Sequence, residues 1–119
     1  MSKPLIIEDK CREMIMYGYV ALKQFPRSEK HGLAAEIRSS MWSVQRLIIT
    51  ALKRYHKKTT LTELDVELAI LKRQVRLAKD LRYIDLKKYR VWSESLVEIG
   101  RMVGGWLRSV YESKKAAAL

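Results

Sequence analysis

Cysteine, histidine, proline and glycine are all scarce in this chain of 119 residues. The only cysteine, Cys11, has no disulfide partner within the chain, so disulfides give no reason to place the protein outside the cytoplasm. The only histidines, His31 and His56, lack the spacing that a helical zinc site or a di-iron bundle requires. No glycine-rich phosphate loop is present. We therefore expect no catalytic residue, no metal and no cofactor, and we interpret the chain as a non-enzyme.

Long hydrophobic runs are missing as well. The longest apolar stretch, near Leu47 to Leu52, is far too short to span a bilayer. No signal peptide is visible. We expect a cytoplasmic protein without a membrane partner.

Acidic residues are outnumbered by basic ones. Lys and Arg total 24 against 13 Asp and Glu, which gives a formal net charge of +11. Hydrophobic residues make up 48% of the chain, a share typical of a folded domain and too high for a disordered one. A folded chain with this charge favours polyanionic partners, and nucleic acid, either RNA or DNA, is the leading class.

Apolar residues at helical spacing are abundant. Four segments show alternating steps of three and four residues, the pattern of a helix with one packing seam. The seams are Ile7, Cys11, Met14, Gly18, Ala21 and Phe25; Leu33, Ile37, Met41, Val44, Ile48, Ala51 and Tyr55; Leu61, Leu64, Leu68, Leu71, Val75 and Ala78; and Trp92, Leu96, Ile99, Val103, Trp106 and Val110.

Turn signals separate these segments. Ser28, Thr60 (at capping-box spacing from Glu63) and Asp85 are the predicted N-caps. The predicted helices cover about residues 6–25, 29–57, 61–82 and 86–113, within a single domain spanning residues 1–119. Short connections force sequential helices to run antiparallel, so the predicted fold class is all-α, an antiparallel up-and-down four-helix bundle.

A second apolar stripe lies opposite the seam on several helices. Its members are Val66, Ile70, Leu77 and Leu81 on the third helix, and Met16, Val20, Trp42 and Ile49 on the first two. Single exposed apolar residues are ordinary, but an aligned set favours an interface between subunits. We predict a homo-oligomer.

Most of the excess positive charge lies on the second helix, and the third is nearly neutral overall but separates its acidic from its basic residues. The second carries Arg38, Arg46, Lys53 and Lys57 in one arc opposite its seam, and the third carries Lys72, Arg73, Arg76 and Lys79 after its acidic first turns. Such stripes are suited to a phosphate backbone, because each neutralised phosphate releases counterions. On the third helix the same polarity also complements the helix dipole, an equally good explanation there. On the fourth helix, by contrast, the spacing predicts local pairs of Arg90 with Glu94, Glu98 with Arg101 and Arg108 with Glu112.

Several motifs resemble a known group of proteins. The stretch from Phe25 to Lys30, with Ile37-Arg38 downstream, is similar to the second-helix signature of four-helix-bundle proteins encoded in 23S ribosomal RNA intervening sequences. The segments 64–68, 71–79 and above all 98–106 (EIGRMVGGW) resemble the Avd branch of that group, the accessory variability determinants of diversity-generating retroelements. The resemblance covers roughly residues 8 to 110.

The resemblance implies a pentameric barrel of bundles that binds the retroelement's reverse transcriptase, binds nucleic acid, supports mutagenic reverse transcription and retrohoming, and has no catalytic activity of its own. It implies a basic third-helix surface, which falls here on Lys72, Arg76 and Lys79. The alternative is a structural scaffold or intervening-sequence-type bundle without a reverse transcriptase partner. A helical RNase is a weaker alternative, because Arg27 and His31 stand too close together for the motif of that class.

Overall fold

Four apolar seams at helical spacing become four packed helices. The computed structural model describes the backbone of residues 3–118 and the side chains of residues 6–113 and 115. The helices are α1 (Lys3–Leu22), α2 (Leu33–Lys53), α3 (Lys58–Asp80) and α4 (Leu86–Ala118), and a short 3₁₀ turn covers Arg27–Glu29. No strand occurs within residues 3–118, so the predicted all-α class is confirmed.

The helices pack as a four-helix bundle in which each contacts its two neighbours around the bundle. Side chains that meet across α3 and α4 show their direction, because Lys58 reaches Tyr111 near one end and Lys79 reaches Tyr89 near the other. Between α1 and α4, Lys10 reaches Glu98, whereas Gln24, just after α1, reaches Asp85, just before α4. Adjacent helices therefore run antiparallel, and the turn between α2 and α3 lies at the same end as the C-terminal part of α4.

The core follows the predicted seams closely. Every seam residue of α3 is buried, as are all six from Ile7 to Phe25. On α4 the indole of Trp92 is completely enclosed, whereas Trp106 and Val110 are only half-buried towards the C-terminal part of the helix. Tyr55 is the clear exception: it is 91% exposed because α2 ends before it.

Two of the three predicted N-caps are wrong. Ser28 lies in the 3₁₀ turn, and α2 begins later, where the carboxylate of Glu29 accepts a hydrogen bond from the backbone N–H of Leu33 at 2.9 Å. Thr60 is inside α3 and buried, and its hydroxyl accepts a hydrogen bond from the Arg54 guanidinium at 3.2 Å. At α2 a carboxylate from the preceding turn thus replaces the predicted cap, whereas at α3 the predicted cap lies inside the helix and no side chain caps the first turn.

Asp85 does cap α4. Its carboxylate accepts a hydrogen bond from the backbone N–H of Lys88 at 2.8 Å and another from the Gln24 side-chain amide at 3.1 Å. These two hydrogen bonds, the first above all, lower the pKa of Asp85 below its usual value. The same residue thus starts α4 and ties it to the turn that follows α1.

Candidate nucleic-acid interface

The basic residues predicted to bind nucleic acid lie on two separate faces of the bundle. Arg46, Lys53, Arg73 and Arg76 are exposed, and Arg38, Lys57, Lys72 and Lys79 are half-buried. The α2 set and the α3 set do not merge into one stripe, because the apolar residues Val66, Ile70, Leu77 and Leu81 occupy the part of the α3 surface nearer α2. The structure therefore offers two basic surfaces.

The α3 surface borders α4. Lys79 places its ammonium 4.7 Å from the centre of the Tyr89 ring and 3.3 Å from the carboxylate of Asp80. Lys72 lies over Gly100, so close that a Cβ added there would stand 3.0 Å from the lysine Nζ. Arg76 falls between them and is exposed. The three residues that the sequence grouped as one stripe thus line the groove between α3 and α4.

The α2 surface is more divided than its sequence indicates. Arg38 donates to the backbone carbonyl of Lys30 at 2.8 Å and so holds the segment before α2. Arg46 shares a surface depression with Glu63 and Glu67 of α3, which offset its charge. Among the predicted residues within α2, only Lys53 is exposed and neither bonds a neighbouring backbone segment nor lies beside acidic residues.

Lys57 has a structural role. Its ammonium donates to the backbone carbonyls of Ala51 and Arg54, both at 2.6 Å, at the end of α2. Those carbonyls have no partner within the helix, and a cation at a helix C-terminus is favourable. We therefore set Lys57 apart from the residues that are available to phosphates.

Few of the basic side chains are neutralised. Within residues 6–113 the ion pairs shorter than 4.0 Å are Lys10 with Glu13 and with Glu98, Lys79 with Asp80, and Lys88 with Asp85. None of Arg38, Arg46, Lys53, Lys72, Arg73 or Arg76 takes part in one. The surface of this part of the chain thus has the unbalanced positive charge that phosphate binding uses.

The local pairs predicted on α4 are not formed. Glu98 reaches across to Lys10 of α1, at 3.5 Å, instead of pairing with Arg101 on its own helix. Arg90 and Arg108 also have no carboxylate within 4.0 Å in the described side chains. A neighbouring helix competes for the acid, so spacing within one helix does not decide the pairing. The exposed arginines of α4 therefore add to the basic surface, and the prediction that they are neutralised was wrong.

The turn between α2 and α3 is a further basic element that helical periodicity did not reveal. Residues 53–58 read Lys-Arg-Tyr-His-Lys-Lys, with four basic residues and no acid. Tyr55 is nearly fully exposed in this turn, and its ring meets that of His56 edge to face, with centroids 4.9 Å apart. The sequence does carry a signal for this element, a run of basic residues interrupted by Tyr55 and His56. Helical periodicity obscured it, because the seam pattern assigned Tyr55 to the core.

The predicted second apolar stripe is exposed throughout. Met16, Val20, Trp42, Ile49, Val66, Ile70, Leu77 and Leu81 are each 40–58% exposed. They form two patches on opposite sides of α2: Trp42 donates to the Tyr19 hydroxyl of α1 at 3.2 Å, whereas Val66 shares a depression with Leu47 on the α3 side. A surface that joins subunits has to be exposed on the single chain, so these patches are available for self-association. Self-association itself stays a prediction.

The thiol of Cys11 is not set up for chemistry. Its side chain is buried in the core, and this burial, with a smaller contribution from Glu8, raises the pKa of Cys11 to about 12. A thiol in that state is a packing group rather than a nucleophile. In residues 3–118, no three His, Cys, Asp or Glu side chains come together as a metal site would require, and no helix in that range is long and apolar enough to cross a membrane.

The fold and this surface define a strongly basic four-helix-bundle protein. The chain belongs to the bAvd-like family, whose model matches residues 5–110. Membership confirms the resemblance to Avd proteins seen in the motifs, and it gives the chain an accessory role in general, because this is an accessory, non-catalytic family. Comparison with curated protein sequences finds no significant match.

Proposed function

We propose that this protein is the non-catalytic accessory of a diversity-generating retroelement's reverse transcriptase, that it binds RNA or DNA through its outer basic surfaces, and that it acts as a homo-oligomer, a pentamer, in the cytoplasm. Membership of the bAvd-like family supports the accessory role. Binding of template RNA or its complementary DNA would bring the polymer to the enzyme that copies it.

The observation that carries the proposal is the unneutralised charge on the outside of the bundle. The net charge is +11, and the exposed basic residues of α2, α3 and α4 are largely free of carboxylate partners in residues 6–113. These are separate helices with Lys and Arg on their outward faces, so the charge extends around the bundle. A polyanion that follows the surface meets several cations in succession, which is the arrangement that gives salt-dependent, sequence-independent binding.

The exposed apolar patches support self-association. Eight large apolar side chains in two patches are more than isolated surface residues. Because the patches lie on opposite sides of α2, the α3 patch of one copy is able to meet the α1–α2 patch of the next. Contacts of this head-to-tail kind build a ring, of five subunits among others, when the rotation between neighbouring copies closes, and an open filament when it does not.

Light scattering at high salt tests self-association. Titration of labelled RNA and DNA at several salt concentrations then tests nucleic-acid binding. We expect a particle of ring size, and an affinity whose logarithm falls linearly with the logarithm of salt concentration. A monomer that ignores nucleic acid would contradict the proposal. Co-purification with the reverse transcriptase from the same element tests the proposed partner. An oligomer that binds neither nucleic acid nor reverse transcriptase would favour the structural-scaffold alternative.

A further inference from the structure

The most exposed large hydrophobic side chain in the described structure is an aromatic ring in a basic turn. Tyr55 is 91% exposed between the end of α2 and the start of α3. The α2 seam, continued by its spacing, would include Tyr55, but the helix ends at Lys53. The next most exposed large apolar side chain, Tyr111, is 60% exposed, so Tyr55 stands apart from the ordinary exposed apolar residues of this surface.

The turn that carries Tyr55 is held by its neighbours. Lys57 bonds two carbonyls at the end of α2, and Arg54 donates to the buried hydroxyl of Thr60 in the first turns of α3. The basic residues on either side of the two rings are therefore anchored to the helices. Tyr55 and His56 project from a turn whose shape is already determined.

The residues that flank the turn are cationic, and one of them contacts a second exposed tyrosine. Lys53 and Lys58 flank the turn and are exposed. Lys58 lies 5.5 Å from the centre of the Tyr111 ring of α4, which is 60% exposed, and both line a shallow depression with Leu107, Arg108 and Glu112. This end of the bundle thus combines exposed rings with Lys and Arg on three helices.

We propose that the α2–α3 turn is a base-stacking site for single-stranded nucleic acid, with Tyr55 as the platform and Lys53 and Lys58 as phosphate contacts. Bases in a single strand offer their faces to aromatic side chains, whereas bases in a duplex are already stacked on each other. Cations beside such a platform hold the backbone while the base stacks. The inference rests on the proposed nucleic-acid function and assigns to it a strand form and a contact residue.

The test compares Tyr55→Ala with Tyr55→Phe in the full chain. Fluorescence anisotropy would measure binding of a labelled oligouridine, a duplex of equal length, and inorganic polyphosphate as competitor. Tyr55→Ala should weaken oligouridine binding by roughly 5- to 100-fold, the effect of losing one stacked base, and Tyr55→Phe should restore it. Duplex and polyphosphate binding should change by less than about two-fold, because neither presents a free base face. Circular dichroism checks that both variants keep their helices.

Four results would overturn the inference. Unchanged oligouridine affinity in Tyr55→Ala, with the unaltered protein binding well, would remove the stacking site and leave the proposed function intact. Equal weakening for oligouridine, duplex and polyphosphate would make the residue's effect electrostatic or structural. If vesicles of anionic phospholipid, measured in parallel, were the only ligand that Tyr55→Ala bound less tightly, the ring would belong to a membrane surface. Failure of the unaltered protein to bind any polymer would remove both the stacking site and the proposed function.

Discussion

The side chain of Met41, on α2, fills the space left beside Gly18 of α1. A Cβ added at Gly18 would overlap the Met41 sulfur and stand 3.1 Å from Cζ2 of Trp92, and both of those side chains are completely buried. Neither has free volume to move into, because the core is packed around them.

Gly18→Ala should therefore destabilise the protein, by about 1 to 3 kcal/mol as overpacked cores usually do. Gly104→Ala is the matched control, since a Cβ at that helical position meets nothing within 4 Å. There alanine should stabilise the helix, by up to about 1 kcal/mol. Urea unfolding followed by circular dichroism measures both changes. A Gly18 variant as stable as the unaltered protein would mean that α1 and α2 adjust more easily than their packing implies.

Arg82 adopts a left-handed backbone conformation (φ 63°) just after α3. The N–H of Arg82 donates to the carbonyl of Lys79 and that of Tyr83 to the carbonyl of Ala78, both at 2.9 Å, which is the helix ending that glycine favours. Arg82→Gly should raise the free energy of unfolding by up to about 1 kcal/mol. Leu81→Gly, one residue earlier at φ −77°, should lower it. Thermal unfolding of the two variants compares them directly, and the opposite order would contradict this account.

Cys11 should make stability fall in alkaline solution. Its pKa rises from an ordinary 9.0 to about 12 on folding, mainly through burial. Below pH 9 the thiol is neutral in both the folded and the unfolded state, so its ionisation does not change the free energy of unfolding. Between pH 9 and about 12 the unfolded chain loses the proton first, which stabilises the unfolded state and lowers the free energy of unfolding. We expect the difference in unfolding free energy between the protein and Cys11→Ala to shrink by up to about 1.4 kcal/mol per pH unit above that point. A constant difference from pH 8 to about 11 would show that the thiol ionises equally in both states.

Reversing the charges of Lys72, Arg76 and Lys79 to Glu should weaken nucleic-acid binding and reduce its salt dependence while helicity and assembly are retained. The reason is that Lys72 and Arg76 have no carboxylate partner among the described side chains and can neutralise a phosphate, while Lys79, although paired with Asp80, adds positive charge to the same groove. The matched variant reverses Arg38, Arg46 and Lys53 on the other face. Unchanged affinity in the α3 variant would mean that its stripe only complements the helix dipole, and a loss in the α2 variant would then identify that face as the binding surface.

Leu77→Glu on the exposed apolar surface of α3 should lower the particle mass measured by light scattering. A carboxylate there would have to be buried against a neighbouring copy, which is unfavourable without a partner. Val97→Glu serves as the control, because Val97 on α4 is similarly exposed, at 42% against 48%, but lies outside both patches. Equal masses for the two variants would contradict an interface at this stripe.

The core was predictable from the sequence because burial repeats with the helix. Ile37, Met41, Val44 and Ile48 recur at steps of three and four, and all four are buried. Helix ends were less predictable, because they depend on groups outside the repeat. The seam continues to Tyr55, yet the Lys57 ammonium closes α2 earlier by bonding its last carbonyls.

The basic surface was predictable only in part, for a similar reason. The outward direction of Lys72 and Arg76 follows from helical geometry alone. Whether a charge is neutralised depends on neighbouring helices, as Glu98 shows by pairing with Lys10 rather than with Arg101. Likewise, nothing in the periodicity of α2 indicates that Glu63 and Glu67 of α3 stand beside Arg46.

On the outer surface of α3 an apolar stripe and a basic stripe lie side by side. In the proposed assembly, apolar contact between copies therefore brings the positive charges of neighbouring subunits towards one another, and that repulsion opposes association. A bound polyanion removes the repulsion, so it raises the association constant of the subunits. Thermodynamic reciprocity then requires assembly to raise the affinity for the polyanion by the same factor. Assembly and polymer binding would therefore reinforce each other, and the ring would be most stable when its polymer is bound.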